Sequence, residues 1–421
     1  MISIEDSKNL DNVGMYAGVE STVTNAEDGS ISIGGTGTGM KASPVSSGAV
    51  NQGSISVDEY GYGMYILGPF SYGENSGSIT VGSGIGVVAS GSSFSNIKSG
   101  DRVGSITVNA DGAIGIEGSG SIYNSGTIDV MGDYVTGIQT SGLSTDVTIA
   151  DGSVTVTGKG AVGVYDTSSL SYSFSVGSDA ALTVSASGNE EDDVSYAVYG
   201  EHVSRFNNEG EITIDADNAY GAKLGMEIKD TVNGVEVLRE TKFYNNGKIT
   251  VSGKNINGVD IYKATEAVND EKGEIVLDSA GIAFKSDQSE MVKNLGTIQI
   301  LRGKTTGVVD IDDANFVPVA VGMDITGGEF EIGPAVVDEY GFENANVLVN
   351  SDASRGVAVH GGATGVNKGV IEMSGDYTVG IYADETGSAG VLNQGKINIS
   401  GNASIGMYAD CLLYTSPSPR D

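Results

Sequence analysis

The chain has 421 residues and a formal net charge of −33, with 64 Gly, a single Cys and no Trp. So acidic a surface argues against nucleic acid and anionic lipid as partners, and no apolar run reaches the length needed to span a bilayer. A chain this long ordinarily divides into two or three globular domains, a count that a repeat array escapes by forming one long domain.

Taken in order, the chain is such an array. Ile2-Ser3-Ile4 reads as the first strand of a unit and Gly14-Met15-Tyr16-Ala17 as its second. Met1 does not read as a true start, and no basic and apolar leader follows it, so truncation upstream is expected. Further units begin at Gly29, Asn51, Asn75, Gly104, Asn124 and Gly152 and run on to Val164-Tyr165. A degraded unit surrounds Glu190-Glu191-Asp192-Asp193, and Asn208 to Ile214 restores the pattern. Residues 226–243 read as an insertion, with Asn233-Gly234 turning a hairpin out of the stack. Units resume at Asn246, Lys272 and Asn294, the stretch 310–350 is irregular apart from Gly328 to Ile332, and Asn367–Tyr382 and Asn393–Tyr408 are the cleanest copies. Cys411 to Asp421 shares nothing with what precedes it. Every codon of that tail fits one reading frame of a transposase-based sequencing adapter, so it is expected to be a non-native scar and is excluded from fold reasoning.

The unit spells Asn-x-Gly-x-Ile-x-(Val/Ile/Met), a short polar turn with Gly, then (Val/Ile)-Gly-(Ile/Met/Val)-Tyr. Alternation places Ile397 and Ile399 on one face of the first strand, and Ile405 and Met407 together on one face of the second. Gly and Asn between them accept the positive φ of a corner. One such unit cannot bury its apolar edge alone, whereas stacked copies bury it in a continuous core. The expected fold is an all-β, right-handed parallel β-helix. It forms one elongated domain over residues 1–410, with about fifteen irregular coils and projecting insertions near 226–243 and 310–350. At roughly 4.8 Å per coil the rod is about 70 Å long.

The repeated Asn-x-Gly-x-Ile-x-Val followed by Val-Gly-(Met/Ile)-Tyr-Ala resembles the passenger domains of large type V autotransporter adhesins of anaerobic Gram-negative bacteria. The likeness covers nearly all of residues 1–410 and is strongest at 51–138, 246–300 and 367–408. It implies a signal peptide upstream, a membrane-inserted β-barrel downstream that anchors the chain to the outer membrane, and a cell-surface location. It also implies a protein or glycan partner on host or bacterial cells. The scarcity of Cys suits an exported chain. The complete protein is expected to be monomeric, while this piece alone, with raw strand edges at its ends, is expected to associate.

Signs of chemistry are few. The only two histidines, His202 and His360, read as solvated surface residues, and His360 is assigned to the outward slot of Tyr382 and Tyr408. Asp310-Ile-Asp312-Asp313 begins like a calcium loop, but Asn315 and Val321 stand where its Gly and bidentate Glu belong. No cofactor, metal or catalytic residue is assigned, and the run Glu190 to Asp193 reads as a solvated loop. The candidate binding residues are Tyr65, Tyr165, Tyr199, Tyr262, Tyr382 and Tyr408, which fall at or near one repeat position. In register they make a broken outward file of rings suited to sugars or protein partners. Tyr is also a good strand former, and stacking alone accounts for such a file. The chain thus reads as an adhesin or stalk without catalysis. The rival is a carbohydrate-active β-helix, a lyase or glycosidase, which needs several carboxylates and an Arg converging in one groove. Outward strand positions show no such cluster in the sequence.

Overall fold

The Gly-x-Ile-x-Val run that opens each unit becomes a strand with its two apolar residues inward. In Ser105–Asn109, for example, Ile106 and Val108 are fully buried and Thr107 faces out. A computed structural model describes residues 1–142, 144–168, 171–190, 192–225, 231–232, 235–236, 241–303, 318–334, 336–337, 343–344, 346–384 and 390–409. Successive copies pair in parallel and in register. Ile79, Ile106, Ile128, Val154, Leu182 and Ile212 lie above one another, as do Val81, Val108, Val130, Val156, Val184 and Ile214. Each fully buried aliphatic side chain contributes about 1.5–3 kcal/mol, so the column they form holds the coils together.

Each coil has three strands, one more than the sequence reading assigned. The first two belong to one 26-stranded sheet and the third to a 14-stranded sheet, and together they close a right-handed parallel β-helix of about 14 turns. The missed third strand is short, as in Tyr72–Asn75, and ends on the Asn that opens the next Asn-x-Gly. In the first four coils the corner between first and second strands stays extended. One strand then covers both faces: Ile2–Ala17, Ser30–Ala42, Ser54–Leu67 and Ser78–Ser90. Further along, left-handed corner residues such as Tyr134 (φ 56°), Asn218 (φ 54°) and Asn255 (φ 54°) break the run in two. No helix occurs among the described residues.

The asparagines form a buried ladder. Asn25, Asn51, Asn75, Asn96 and Asn124 each pass a side-chain hydrogen bond to the next, at 2.7–2.8 Å. Asn208, Asn245, Asn269 and Asn294 repeat the arrangement. Between the two runs Ile149 and Val176 occupy the same register, and here the core turns aromatic. Phe174 meets Phe206 at a tilt with ring centroids 5.5 Å apart, and Phe206 stacks on Phe243 at 5.1 Å. The ladder satisfies amide groups that burial would otherwise leave without partners.

The second strand departs from simple alternation. Its burial runs intermediate, buried, buried, intermediate, buried in Ile114–Gly118, Thr136–Thr140 and Val162–Asp166. The glycine of Val-Gly-Ile-Tyr presses on the neighbouring coil. A Cβ on Gly115 or Gly137 would sit 2.5 Å or 2.6 Å from the carbonyl oxygen of the glycine one coil on. The residue before the glycine therefore faces outward together with the residue three positions later. Ile405 and Met407 do not share a face as expected. Ile405 lies in the outward register of Val379 and Arg355, and Met407 in the inward register of Ile381 and Val357.

The irregular stretches divide. Thr231–Val232 pairs antiparallel with Val235–Glu236, the last three residues of the expected 226–243 insertion, Thr241 to Phe243, instead belong to a strand of the stack, and the rest of it lies outside the described residues. Residues 310–350 do not project throughout, because Val321–Thr326, Glu329–Ile332 and Val347–Ser351 all take their places in the stack. Residues 310–317 of the suspected calcium loop and the tail from Cys411 lie outside the described residues, and Val321, the loop's last position, begins a strand of the stack.

Candidate functional site

The outward side of the second strands carries two parallel files, set three residues apart by the glycine bulge. One runs Lys41, Tyr65, Val88, Glu117, Gln139, Tyr165, Tyr199, Lys223, Asp260, Lys285, Asp324, Ala358, Tyr382, Tyr408. The expected tyrosine file is therefore real for Tyr65, Tyr165, Tyr199, Tyr382 and Tyr408. Tyr262 is not in it, because Asp260 holds that slot and Tyr262 pairs with Asp287 two positions on. His360 is also displaced. Ala358 occupies the slot of Tyr382, and His360 aligns with Thr326. In both cases the ring lies four residues past its glycine, Gly258 or Gly356, whereas the slot lies two residues past it, as in Gly380-Ile381-Tyr382.

The second file brings in residues that alternation hid. Tyr196 and Tyr220 pair with each other one coil apart. They complete a patch in which Tyr165 stacks on Tyr199 at 5.1 Å, Tyr196 meets Tyr199 edge-on at 5.1 Å, and Tyr196 stacks on Tyr220 at 5.4 Å. All four rings are half-buried. Burial raises the phenol pKa of Tyr196, Tyr199 and Tyr220, which keeps the hydroxyls protonated. Lys223 lies 4.9 Å from the Tyr220 ring centroid and closes the patch on one side. Tyr65 instead leans on Tyr62 at 5.2 Å, and Tyr382 stacks on Tyr408 at 5.6 Å, so the file consists of separate clusters.

Beyond Lys223 the face becomes charged. Asp260 lies 3.9 Å from Lys285, and burial raises its carboxyl pKa while Lys285 and Lys223 pull it down. Asp324 lies 3.4 Å from His360 Nε2, and Asp384 meets His360 Nδ1 at 2.5 Å. His360 is thus clamped between two carboxylates, chiefly Asp324, and its pKa is raised above the ordinary value. The expectation of a solvated surface histidine fails here. Arg355 is 8% exposed, and its guanidinium lies 3.5 Å from the Tyr382 ring centroid. Burial lowers its pKa against the pull of Tyr382, Asp324 and Asp384. Asp324, Arg355 and His360 share a pocket of about 280 Å³ whose other wall is Ile282, Pro318, Val319 and Val321. A charged cluster that the sequence appeared to lack is therefore present, built from residues 60 or more positions apart in part of its span, such as Asp324 and Asp384. Within the pocket one carboxylate, Asp324, lines the wall. Among the described residues no group of three or more His, Cys, Asp or Glu side chains is placed to hold a metal ion.

Two other expectations change. The loop at Asp193 is pinned rather than solvated. Tyr134 donates to Asp193 Oδ1 at 2.8 Å, Lys159 Nζ lies 2.9 Å from Asp193 Oδ2, and the Glu190 amide donates to the same oxygen at 2.8 Å. Lys159 holds the Asp193 carboxyl below the usual carboxylate range. His202 is half-buried at its corner, with Nδ1 2.7 Å from the Ser168 carbonyl oxygen.

A family model described as the BigA third pectate lyase-like domain matches residues 171–412, more than half of the chain. No curated protein matches the chain, and no solved structure does.

Proposed function

The chain belongs to the family of the BigA third pectate lyase-like domain, and from that premise we propose that it is a surface-displayed, adhesin-type β-helix that binds a protein or glycan on host or bacterial cells. The family match supports a bacterial surface protein on a β-helix. Attachment through an outer-membrane barrel belongs to the same proposal and draws on the autotransporter resemblance. The observation that carries the binding reading is the four-tyrosine patch of Tyr165, Tyr196, Tyr199 and Tyr220 on a rigid face, flanked by Lys223. Rings of this kind present large amphipathic area with little rotamer entropy to lose, which suits sugar faces and protein anchors.

The test is binding of the purified protein to host and bacterial cells and to immobilised glycans, with Tyr199→Ala and Tyr220→Ala tested singly and together. A loss of tenfold or more in the double variant, with folding intact, supports the platform. Unchanged binding removes it. The second reading, a carbohydrate-active enzyme, is favoured by one observation, the convergence of Asp324, Arg355 and His360 on one pocket. Release of unsaturated or reducing ends from acidic or neutral polysaccharides, abolished by Arg355→Lys, would support it. The absence of turnover across such a panel counts against it.

A further inference from the structure

The charged pocket lies four coils along the face from Tyr199, through Lys223, Asp260 and Lys285 to Asp324, about 19 Å at the spacing of paired strands. It exists because of one small residue. In the outward file Ala358 stands between Asp324 and Tyr382, where neighbouring coils present side chains several atoms longer. The missing side chain opens a hollow with two unlike walls. One wall is aliphatic, from Ile282, Val319 and Val321, and the other is Asp324, Arg355 and His360.

The polar wall is balanced in charge. Arg355 opposes Asp324, and His360 sits between Asp324 and Asp384. An anion entering the hollow meets the Asp324 carboxylate, and a cation meets the Arg355 guanidinium, so neither is favoured once desolvated. The wall does offer an acceptor in Asp324 and a donor in Arg355 at fixed positions, with both His360 nitrogens turned to Asp324 and Asp384. Opposite lies an apolar surface for C–H groups. An uncharged ring with hydroxyls on its edge and C–H bonds on its face meets both walls. We propose that this pocket binds a single uncharged pyranose, with Asp324 accepting from ring hydroxyls, Arg355 donating to them, and the aliphatic wall covering one ring face. The site is independent of the tyrosine platform, so the failure of either leaves the other standing.

The test is saturation-transfer difference NMR on the full chain with the methyl glycosides of glucose, galactose and mannose, run beside glucuronate and glucosamine. At least one neutral glycoside is expected to give a saturable signal. That signal should weaken at least tenfold in the isosteric Asp324→Asn and in Ala358→Leu, which refills the hollow. It should persist in Tyr199→Ala, and the β-sheet circular dichroism of each variant should match the parent. The proposal is overturned if no neutral glycoside saturates, if glucuronate or glucosamine binds more tightly than every neutral one, or if the signal survives Ala358→Leu in a folded protein.

Discussion

Replacing Asn245 with Leu probes the ladder at an interior rung. Asn245 is fully buried, accepts from Asn208 at 2.8 Å, and donates to Asn269 at 2.7 Å and to the Glu274 carbonyl at 3.3 Å. Leucine is close in size and more apolar, so transfer alone would favour it by about 1–2 kcal/mol. Against this, two side-chain hydrogen bonds are lost at about 1 kcal/mol each, and the Asn208 amide and Asn269 carbonyl lose a partner at about 1–3 kcal/mol each. The balance is a destabilisation of about 2–7 kcal/mol. Because coils contact only their neighbours, the loss should be local. Urea unfolding combined with hydrogen exchange should show protection falling in the strands from Asn208 to Asn294 and unchanged near Ile79. If Asn245→Leu is neutral or stabilising, the asparagines are not a structural ladder and the reasoning fails.

Gly137→Val tests the bulge. Its Cβ would meet the Gly163 carbonyl oxygen at 2.6 Å and Val154 at 2.7 Å, so a loss of about 1–3 kcal/mol or more is expected in thermal unfolding, and a neutral result would mean that the second strand does not approach its neighbour so closely. The clamp on His360 makes a pH prediction. Its pKa is raised in the folded chain by Asp324 and then Asp384, so the stability that it contributes is fully present below its unfolded value near 6.5 and fades as pH rises through the folded value. Exchange protection around Val357–His360 should fall over that rise in the parent chain and stay flat in His360→Gln. Asp193 has the opposite sign. Its lowered carboxyl pKa contributes stability above about pH 4 that disappears on acidification, and Lys159→Met should remove that dependence and speed proteolysis of the 186–194 loop.

The architecture was legible because its signal repeats. Ile106, Ile128 and Val154 announce an inward column by recurring in one motif, and the Asn of Asn-x-Gly recurs with them. What stayed hidden depends on local geometry that a period cannot carry. The third strands were missed because four residues such as Ser93–Asn96 are too short for a pattern. Strict alternation misplaced Ile405 and overlooked Tyr196 and Tyr220, because a glycine pressed against the next coil changes which residues share a face. His360 and Tyr262 were assigned by spacing to a slot that Ala358 and Asp260 hold. The pocket was beyond reach of the sequence for a plainer reason. Ile282, Asp324 and Arg355 come from three successive coils whose lengths differ, so their meeting is a property of register.

The stack of parallel coils in register carries every other statement, and pulsed electron resonance between spin labels measures it most directly. Thr107 and Thr213 lie in one outward file four coils apart, and Thr107 and Gln299 seven coils apart. In a Cys411→Ser background, labels at the first pair should lie about 19 Å apart and at the second about 34 Å, widened by the label linkers, because the separation grows by roughly 4.8 Å per coil. Distances that do not grow with the number of coils, or a second pair closer than the first, would contradict the β-helix itself.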